Sequence, residues 1–261
     1  MIVEILSKVL ATGTIVLALS LVAERLSTRL AGLVSGAPLG TLLVFSFLAL
    51  TKDGDFIAAT VPHGLAALLG TLAFTFGYHL GIGAGGRLEL PAATLCGLAG
   101  YAAVALAFEP VDISMPVALA LALAGIAVTT RLFRRIETVA VLRAVRLTPW
   151  VLTLRAGLAA VVVVAVIAVA EWGGTAVTGV LLGFPMTLWP TYLIVHATYG
   201  RGPVRTMIRN FPLGLGGLVT FLVVVYFTAP DLGPYPAIGL GLAAALAYLA
   251  LLSKLTQRRP G

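Results

Sequence analysis

Long hydrophobic runs alternate along the chain with short polar segments rich in glycine and proline. Nine runs are long enough to cross a bilayer as an α-helix, which needs about 20 mostly apolar residues. They lie at residues 6–23, 30–50, 59–82, 91–108, 113–130, 150–170, 175–198, 210–228 and 234–253. A β-barrel strand would instead alternate apolar and polar residues over about ten positions. The pattern predicts an all-α integral membrane protein with about nine transmembrane helices.

Composition supports this prediction and excludes an ordinary soluble domain. The 261 residues are 60% hydrophobic and only 10% charged, whereas soluble domains are roughly 45–50% apolar and about 25% charged. Cys96 is the single cysteine of the sequence, so no intrachain disulfide can form, and we expect it to be a small packing residue. The N-terminus lacks the basic start of a secretory signal, so we interpret the first run as a retained span.

The basic residues predict an orientation in the membrane. If the arginine-rich segment 131–146 is cytoplasmic, alternation of the nine spans places all but Lys8 and Lys52 of the 17 Lys and Arg residues on that side. The prediction is a bacterial or archaeal inner-membrane protein with its N-terminus outside and its C-terminus in the cytoplasm. The net charge of +7 then reflects topology and contact with membrane lipids, not nucleic-acid binding. Segment 131–146 itself resembles an amphipathic helix on the inner leaflet.

The sequence contains an internal repeat. Residues 23–38 and 170–185 align at a constant offset of 147, and both contain a Glu followed by Gly-x-x-x-Gly-x-Pro. The identical pairs are Ala23 and Ala170, Glu24 and Glu171, Thr28 and Thr175, Gly32 and Gly179, Gly36 and Gly183, and Pro38 and Pro185. An odd number of spans separates the copies, so they enter the membrane in opposite directions. We therefore predict two inverted four-span units, 1–112 and 150–261, joined by a linking span and an amphipathic segment at 113–149.

The Gly-x-x-x-Gly-x-Pro motif provides the candidate site. Glycines four residues apart let another backbone approach closely, and proline removes a donor and interrupts a helix. Interrupted helices often form the substrate site of a transporter; the alternative is plain helix packing. Each unit also has a Pro-x-Gly where the third span is expected to begin, at Pro62-His63-Gly64 and Pro212-Leu213-Gly214. The candidate substrate-binding or coupling residues are Glu24, Gly32, Gly36, Pro38, His63, Glu171, Gly179, Gly183 and Pro185.

The ionisable candidates have alternatives as well. One of Glu24 and Glu171 could couple transport to protons, because an ionisable residue beside a span is a functional candidate. Alternatively, each lies at the interface, where a carboxylate costs little. The three histidines are scattered along the chain, which favours structural roles over a shared metal site. We therefore expect no metal and no cofactor, and the absence of the common catalytic motifs argues against an enzyme.

One family resemblance adds to this interpretation. Residues 16–82 carry Ala-Glu-Arg at the end of the first span, Ala-Gly-Leu-Val-Ser-Gly-Ala-Pro-Leu at the start of the second, and the acidic loop Lys52-Asp53-Gly54-Asp55. This stretch resembles the GlpM-type family of small bacterial inner-membrane proteins, here as two units in tandem. The resemblance implies a four-span membrane unit but no reaction. A fainter similarity is to the inverted repeats of drug/metabolite transporters.

Two functions from different classes follow as expectations. The first is a secondary transporter or flippase that moves a small solute or lipid-linked molecule by alternating access between the two units. The second is a non-transporting membrane scaffold or assembly factor. A transporter should have a polar cavity near mid-membrane beside both motifs, whereas a scaffold should be packed dry there. The sequence leaves the substrate and a homo-oligomeric state open.

Overall fold

The computed structural model describes residues 37–108, 111–137 and 174–257, with the isolated residues 139, 157 and 169. Most of these residues are helical and none is in a β-strand, which confirms the all-α prediction for this part of the chain. In chain order the helices are α1 Leu39–Leu48, α2 Gly54–Gly81, α3 Glu89–Phe108, α4 Met115–Phe133, α5 174–182, α6 Leu188–Tyr199, α7 Arg201–Leu232 and α8 Pro234–Gln257. Two 3-10 turns, Ile82–Ala84 and Gly86–Leu88, connect α2 to α3.

Five of these helices, α2, α3, α4, α7 and α8, are long and apolar enough to cross a membrane. The longest, α7, has 32 residues, or about 48 Å at 1.5 Å per residue. The fold is therefore consistent with a membrane protein. The predicted span at 6–23, the span at 150–170 apart from residues 157 and 169, and most of the predicted amphipathic segment lie outside the described residues. The count of nine spans and the 4 + 1 + 4 domain division stay predictions.

The helices form an inner and an outer layer. In the most apolar window of α2 and of α7, 67% and 56% of residues are buried, against 17–22% in α3, α4 and α8. The two inner helices pack directly together, and Gly54 lies so close to the Ala229 carbonyl that a Cβ there would overlap it. The outer helices expose large apolar side chains such as Leu95, Leu106 and Val128. This layering suits helices surrounded by lipid.

The helix pattern recurs at the offset of the sequence repeat. Helices α1, α2 and α3 correspond to α6, α7 and α8, and the first residues of α2 and α7, Gly54 and Arg201, are 147 positions apart. The packing partners are exchanged in the same way, since α1 contacts α8 and α6 contacts α3. Helix α4 packs against both inner helices. These correspondences follow the offset of the sequence repeat on either side of α4.

The two ends of the helix bundle differ in charge. We call the end where α2 meets α3 and α6 meets α7 the basic end. It holds eight of the nine described Lys and Arg residues, namely Arg87, Arg131, Arg134, Arg135, Arg201, Arg205, Arg209 and Lys254. The opposite, acidic end holds Asp53, Asp55, Asp112 and Asp231, together with Lys52. The helix directions thus bring together, at the basic end, the arginine-rich loops that the charge pattern of the sequence had assigned to the cytoplasmic side.

The predicted starts of two spans are wrong. Pro62-His63-Gly64 and Pro212-Leu213-Gly214 lie inside α2 and α7, which begin several residues earlier. Helix α2 starts at an N-cap, because the Asp53 side chain accepts a hydrogen bond of 2.8 Å from the Phe56 amide. Helix α7 starts directly after Gly200, whose φ of +76° ends α6. Capping residues, and not the internal prolines, therefore set both starts.

Candidate functional site

The predicted second span of the second unit is interrupted at the proline of its motif. Helix α5 ends at residue 182, residues 183–187 form turns, and α6 begins at Leu188. Pro185 has no amide hydrogen to continue the helix, and its ring disfavours helical backbone in the preceding residue. The Met186 amide donates to the Phe184 carbonyl at 2.7 Å, and the Trp189 amide donates to the Pro185 carbonyl at 2.9 Å. The span is thus two short helices joined by a turn.

The motif of the first unit has the same local geometry. Pro38 directly precedes α1, with φ −75° and ψ 35°. The Leu39 amide donates to the Ala37 carbonyl at 2.8 Å, and the Leu42 amide donates to the Pro38 carbonyl at 2.7 Å. These are the two hydrogen bonds seen at Pro185, displaced by 147 positions. The repeat therefore extends from sequence to backbone conformation.

The two proline turns lie on either side of one small cavity. The cavity volume is about 30 Å³, counted as the space that the centre of a water molecule can occupy. This is enough for one or two waters. It lies in the middle third of the inner helices, beside Thr71 of α2 and Leu215 of α7. The lining residues are Ala37, Gly40, Thr41, Thr71, Leu182, Gly183, Phe184, Pro185, Met186, Thr187, Leu188, Phe211, Leu215 and Leu218. A cavity beside a helix break, near the middle of the inner helices, is an arrangement that substrate sites of many transporters share.

Two threonine hydroxyls bind the carbonyls at the end of α5. The last carbonyls of a helix have no partner within the helix. Thr41 Oγ1 donates to the Leu182 carbonyl at 3.4 Å, and Thr71 Oγ1 donates to the Gly183 carbonyl over a short distance. Both threonines are buried. The end of α5 is thus held by side chains of α1 and α2, on the polar wall of the cavity.

The glycines of the second motif allow α5 to contact α2 closely. A Cβ at Gly179 would lie 2.5 Å from the Thr60 carbonyl oxygen and from His63 Cβ, and a Cβ at Gly183 would lie 2.5 Å from Ala67 Cβ. His63 belongs to this crossing, and its Nδ1 is buried without a hydrogen-bond partner among the described residues. The close backbone approach is therefore present in the second unit.

The remaining sequence candidates divide into three groups. Gly183 and Pro185 line the cavity, and Pro38 is adjacent to its lining residue Ala37. His63 and Gly179 lie beside it, at the crossing of α2 and α5. Glu24, Gly32, Gly36 and Glu171 lie outside the described residues. Cys96 was expected to be a packing residue, but its side chain is exposed on the outer face of α3. The backbone carbonyl of Cys96, and not its side chain, lies close to Gly77 of α2.

Sequence reasoning missed a buried polar cluster at the basic end. His196 of α6 lies between Glu89, the first residue of α3, and Tyr78 of α2. His196 Nε2 is 3.0 Å from Glu89 Oε1, and His196 Nδ1 is 3.1 Å from the Tyr78 hydroxyl. These residues are 107 and 118 positions from His196, and no sequence motif links them. Only the packing of α6 against α3 and α2 brings them together.

Comparisons with protein-family models, curated proteins and solved structures give no significant match to this chain. Its function is therefore argued from the cavity and its surroundings.

Proposed function

We propose that this chain is a secondary transporter or flippase of the cell membrane, with its substrate site at the cavity between the two proline turns. The observation that carries the proposal is the pair of equivalent turns, after Ala37 and after Phe184, facing one cavity at half depth. Backbone that leaves the helix at membrane depth is tolerated where protein or a water-filled cavity satisfies its polar groups. A scaffold has no need for two such turns at one cavity.

The proposed cycle is alternating access between two inverted units. Helices α1 and α6 each follow a turn and each pack against an outer helix of the other unit, α8 and α3. Movement of one unit against the other would open the cavity first to one end of the bundle and then to the other. The positive-inside rule assigns the basic end to the cytoplasm, which also places the C-terminus there.

The cavity indicates the general chemistry of the cargo. Thr41, Thr71 and the backbone groups at Gly183 make one wall polar, and the rest of the lining includes Thr187 and the apolar Leu188, Leu215 and Leu218. A small solute or lipid-linked group with one hydrogen-bonding side and one apolar side matches this lining, and movement of the two units would widen the cavity to admit it.

Sided cysteine labelling tests this proposal. In a Cys96→Ala background, Thr187→Cys places a thiol on the cavity wall, and Leu106→Cys places one on the exposed outer face of α3. The membrane-impermeant reagent trimethylammonium-ethyl methanethiosulfonate is applied to right-side-out cells and to inside-out vesicles. We expect labelling at residue 187 in both preparations and none at 106, because a thiol in lipid does not ionise. No labelling at 187 from either side would contradict transport.

A further inference from the structure

The cluster of Tyr78, Glu89 and His196 is buried between three helices. The side chains of His196 and Glu89 are 6% and 16% exposed, and Tyr78 is fully buried. Tyr78 also packs edge-on against Tyr192 of α6, with ring centroids 5.2 Å apart. Ionisable side chains among apolar helices are costly and commonly mark ion or proton pathways.

Two helices, α2 and α6, run from the cavity to this cluster. On α2, Thr71 at the cavity is followed one turn later by Thr75 and then by Tyr78. On α6, Leu188 at the cavity is followed by Tyr192 and then by His196, about 12 Å along the helix. Thr75 Oγ1 donates to the Thr71 carbonyl at 2.9 Å, and the buried Tyr192 hydroxyl has no hydrogen-bond partner among the described residues. The cluster and the cavity thus share two helices, α2 and α6.

The hydrogen-bond geometry of the cluster accommodates two protonation states of the imidazole. An ionised Glu89 can only accept, so the Nε2 of His196 carries the hydrogen that faces it. With neutral imidazole, Nδ1 accepts from the Tyr78 hydroxyl, and the cluster has a net charge of −1. A proton added at Nδ1 makes the cluster neutral overall and turns the Tyr78 oxygen into the acceptor. Burial among apolar helices favours the neutral cluster over the charged one.

The cluster belongs to one end of the bundle only. At the positions displaced by 147, the counterparts of His196, Tyr78 and Glu89 are Ala49, Val225 and Pro236. Tyr192 of α6 contacts Tyr78, and the other ionisable residues at this end of the four helices are His79 on α2, Arg87 before α3, Tyr199 on α6, and Arg201 and Arg205 on α7. Among the described residues, the ion-pair partner of Glu89 is His196.

We propose that Glu89 and His196 form the proton-binding site that couples this transporter to proton movement, with Tyr78 as the hydrogen-bond partner of the second imidazole nitrogen. This rests on the proposed transport function. Proton uptake removes the net charge and favours the packing of α6 against α3. Proton release restores the charge and favours separation of these helices and entry of water at the basic end. Because α6 starts at the cavity, this movement changes access to it.

The test measures cavity access as a function of pH in the full chain. Labelling of Thr187→Cys in the Cys96→Ala background is followed in proteoliposomes from pH 5.5 to 8.5. Rates are divided by those of Asp231→Cys, a water-exposed reference, to remove the pH dependence of the thiol itself. We expect the normalised rate to change about fivefold or more across this range. Glu89→Gln keeps the side-chain shape of Glu89 but removes its negative charge. In this variant the normalised labelling rate should stay, at every pH, at the value that the wild type has at pH 5.5.

Two further variants complete the test. His196→Gln should also lose the pH dependence, and it is an independent variant if Glu89→Gln does not fold, as judged by size-exclusion profile and melting temperature. His79→Gln, at a half-buried histidine beside Tyr78, is the matched control and should keep the wild-type profile. A labelling rate that does not change with pH in the wild type, or that still changes with pH in both cluster variants, would overturn the proton site. Transport would still be supported in that case if the cavity is labelled from both sides of the membrane. Absence of any cavity labelling would overturn transport itself.

Discussion

The proline turns of the two units share a backbone but differ in side chains. Each turn has the same two hydrogen bonds, after Ala37 and after Phe184. The cavity-lining threonines of the first unit, Thr41 and Thr71, have leucines as counterparts in the second, Leu188 and Leu218. The Thr41 and Thr71 hydroxyls of the first unit thus donate to carbonyls of the second unit. The second unit has no hydroxyl at the two corresponding positions, Leu188 and Leu218.

This difference shows that the repeat preserves the backbone turn, whereas the side chains beside the turn differ between the two copies. Glycine and proline determine the turn through backbone sterics, which any copy of the motif reproduces. Polarity depends on single side chains, and those have diverged. The cavity therefore combines pseudosymmetric walls with an asymmetric distribution of hydrogen-bonding groups.

Gly179→Ala should have the largest effect on stability. The added Cβ would lie 2.5 Å from the Thr60 carbonyl oxygen and from His63 Cβ, so α5 has to move away from α2. We expect a loss of about 3 kcal/mol in the free energy of unfolding, measured by denaturant titration in mixed micelles. Gly239→Ala is the control, because nothing lies within 4 Å of a Cβ there. Equal effects at the two positions would show that the crossing of α2 and α5 is not close.

Thr71→Val should have a smaller effect, confined to the polar wall. It leaves the Gly183 carbonyl without its donor at nearly constant side-chain volume, which costs about 1–2 kcal/mol in the same titration. Thr71→Ser retains the hydroxyl and should recover most of this loss. Thr41→Val should cost less than Thr71→Val, since its hydrogen bond is 3.4 Å long. If Thr71→Val is neutral, the asymmetry between the units has no energetic role.

The sequence predicted the general fold better than it predicted the site. Hydrophobic runs located the long helices, because a membrane span must be apolar along its length. Helix starts at Gly54 and Arg201 were missed, since they depend on the Asp53 cap and on Gly200. The motif glycines and prolines indicated where α5 breaks, because that break is a local backbone property. Thr41, Thr71 and the cluster around His196 were not predicted, because distant segments create them.

The central claim is alternating access, and distance measurements between the two ends test it most directly. Spin-label pairs at Lys52→Cys and Asp231→Cys report on the acidic end, and pairs at Arg87→Cys and Arg201→Cys report on the basic end, each in the Cys96→Ala background in lipid nanodiscs. Double electron–electron resonance is recorded from pH 5.5 to 8.5. We predict two distances for each pair, with the longer distance gaining population at one end as it loses population at the other. A single unchanged distance at both ends under all conditions would contradict alternating access.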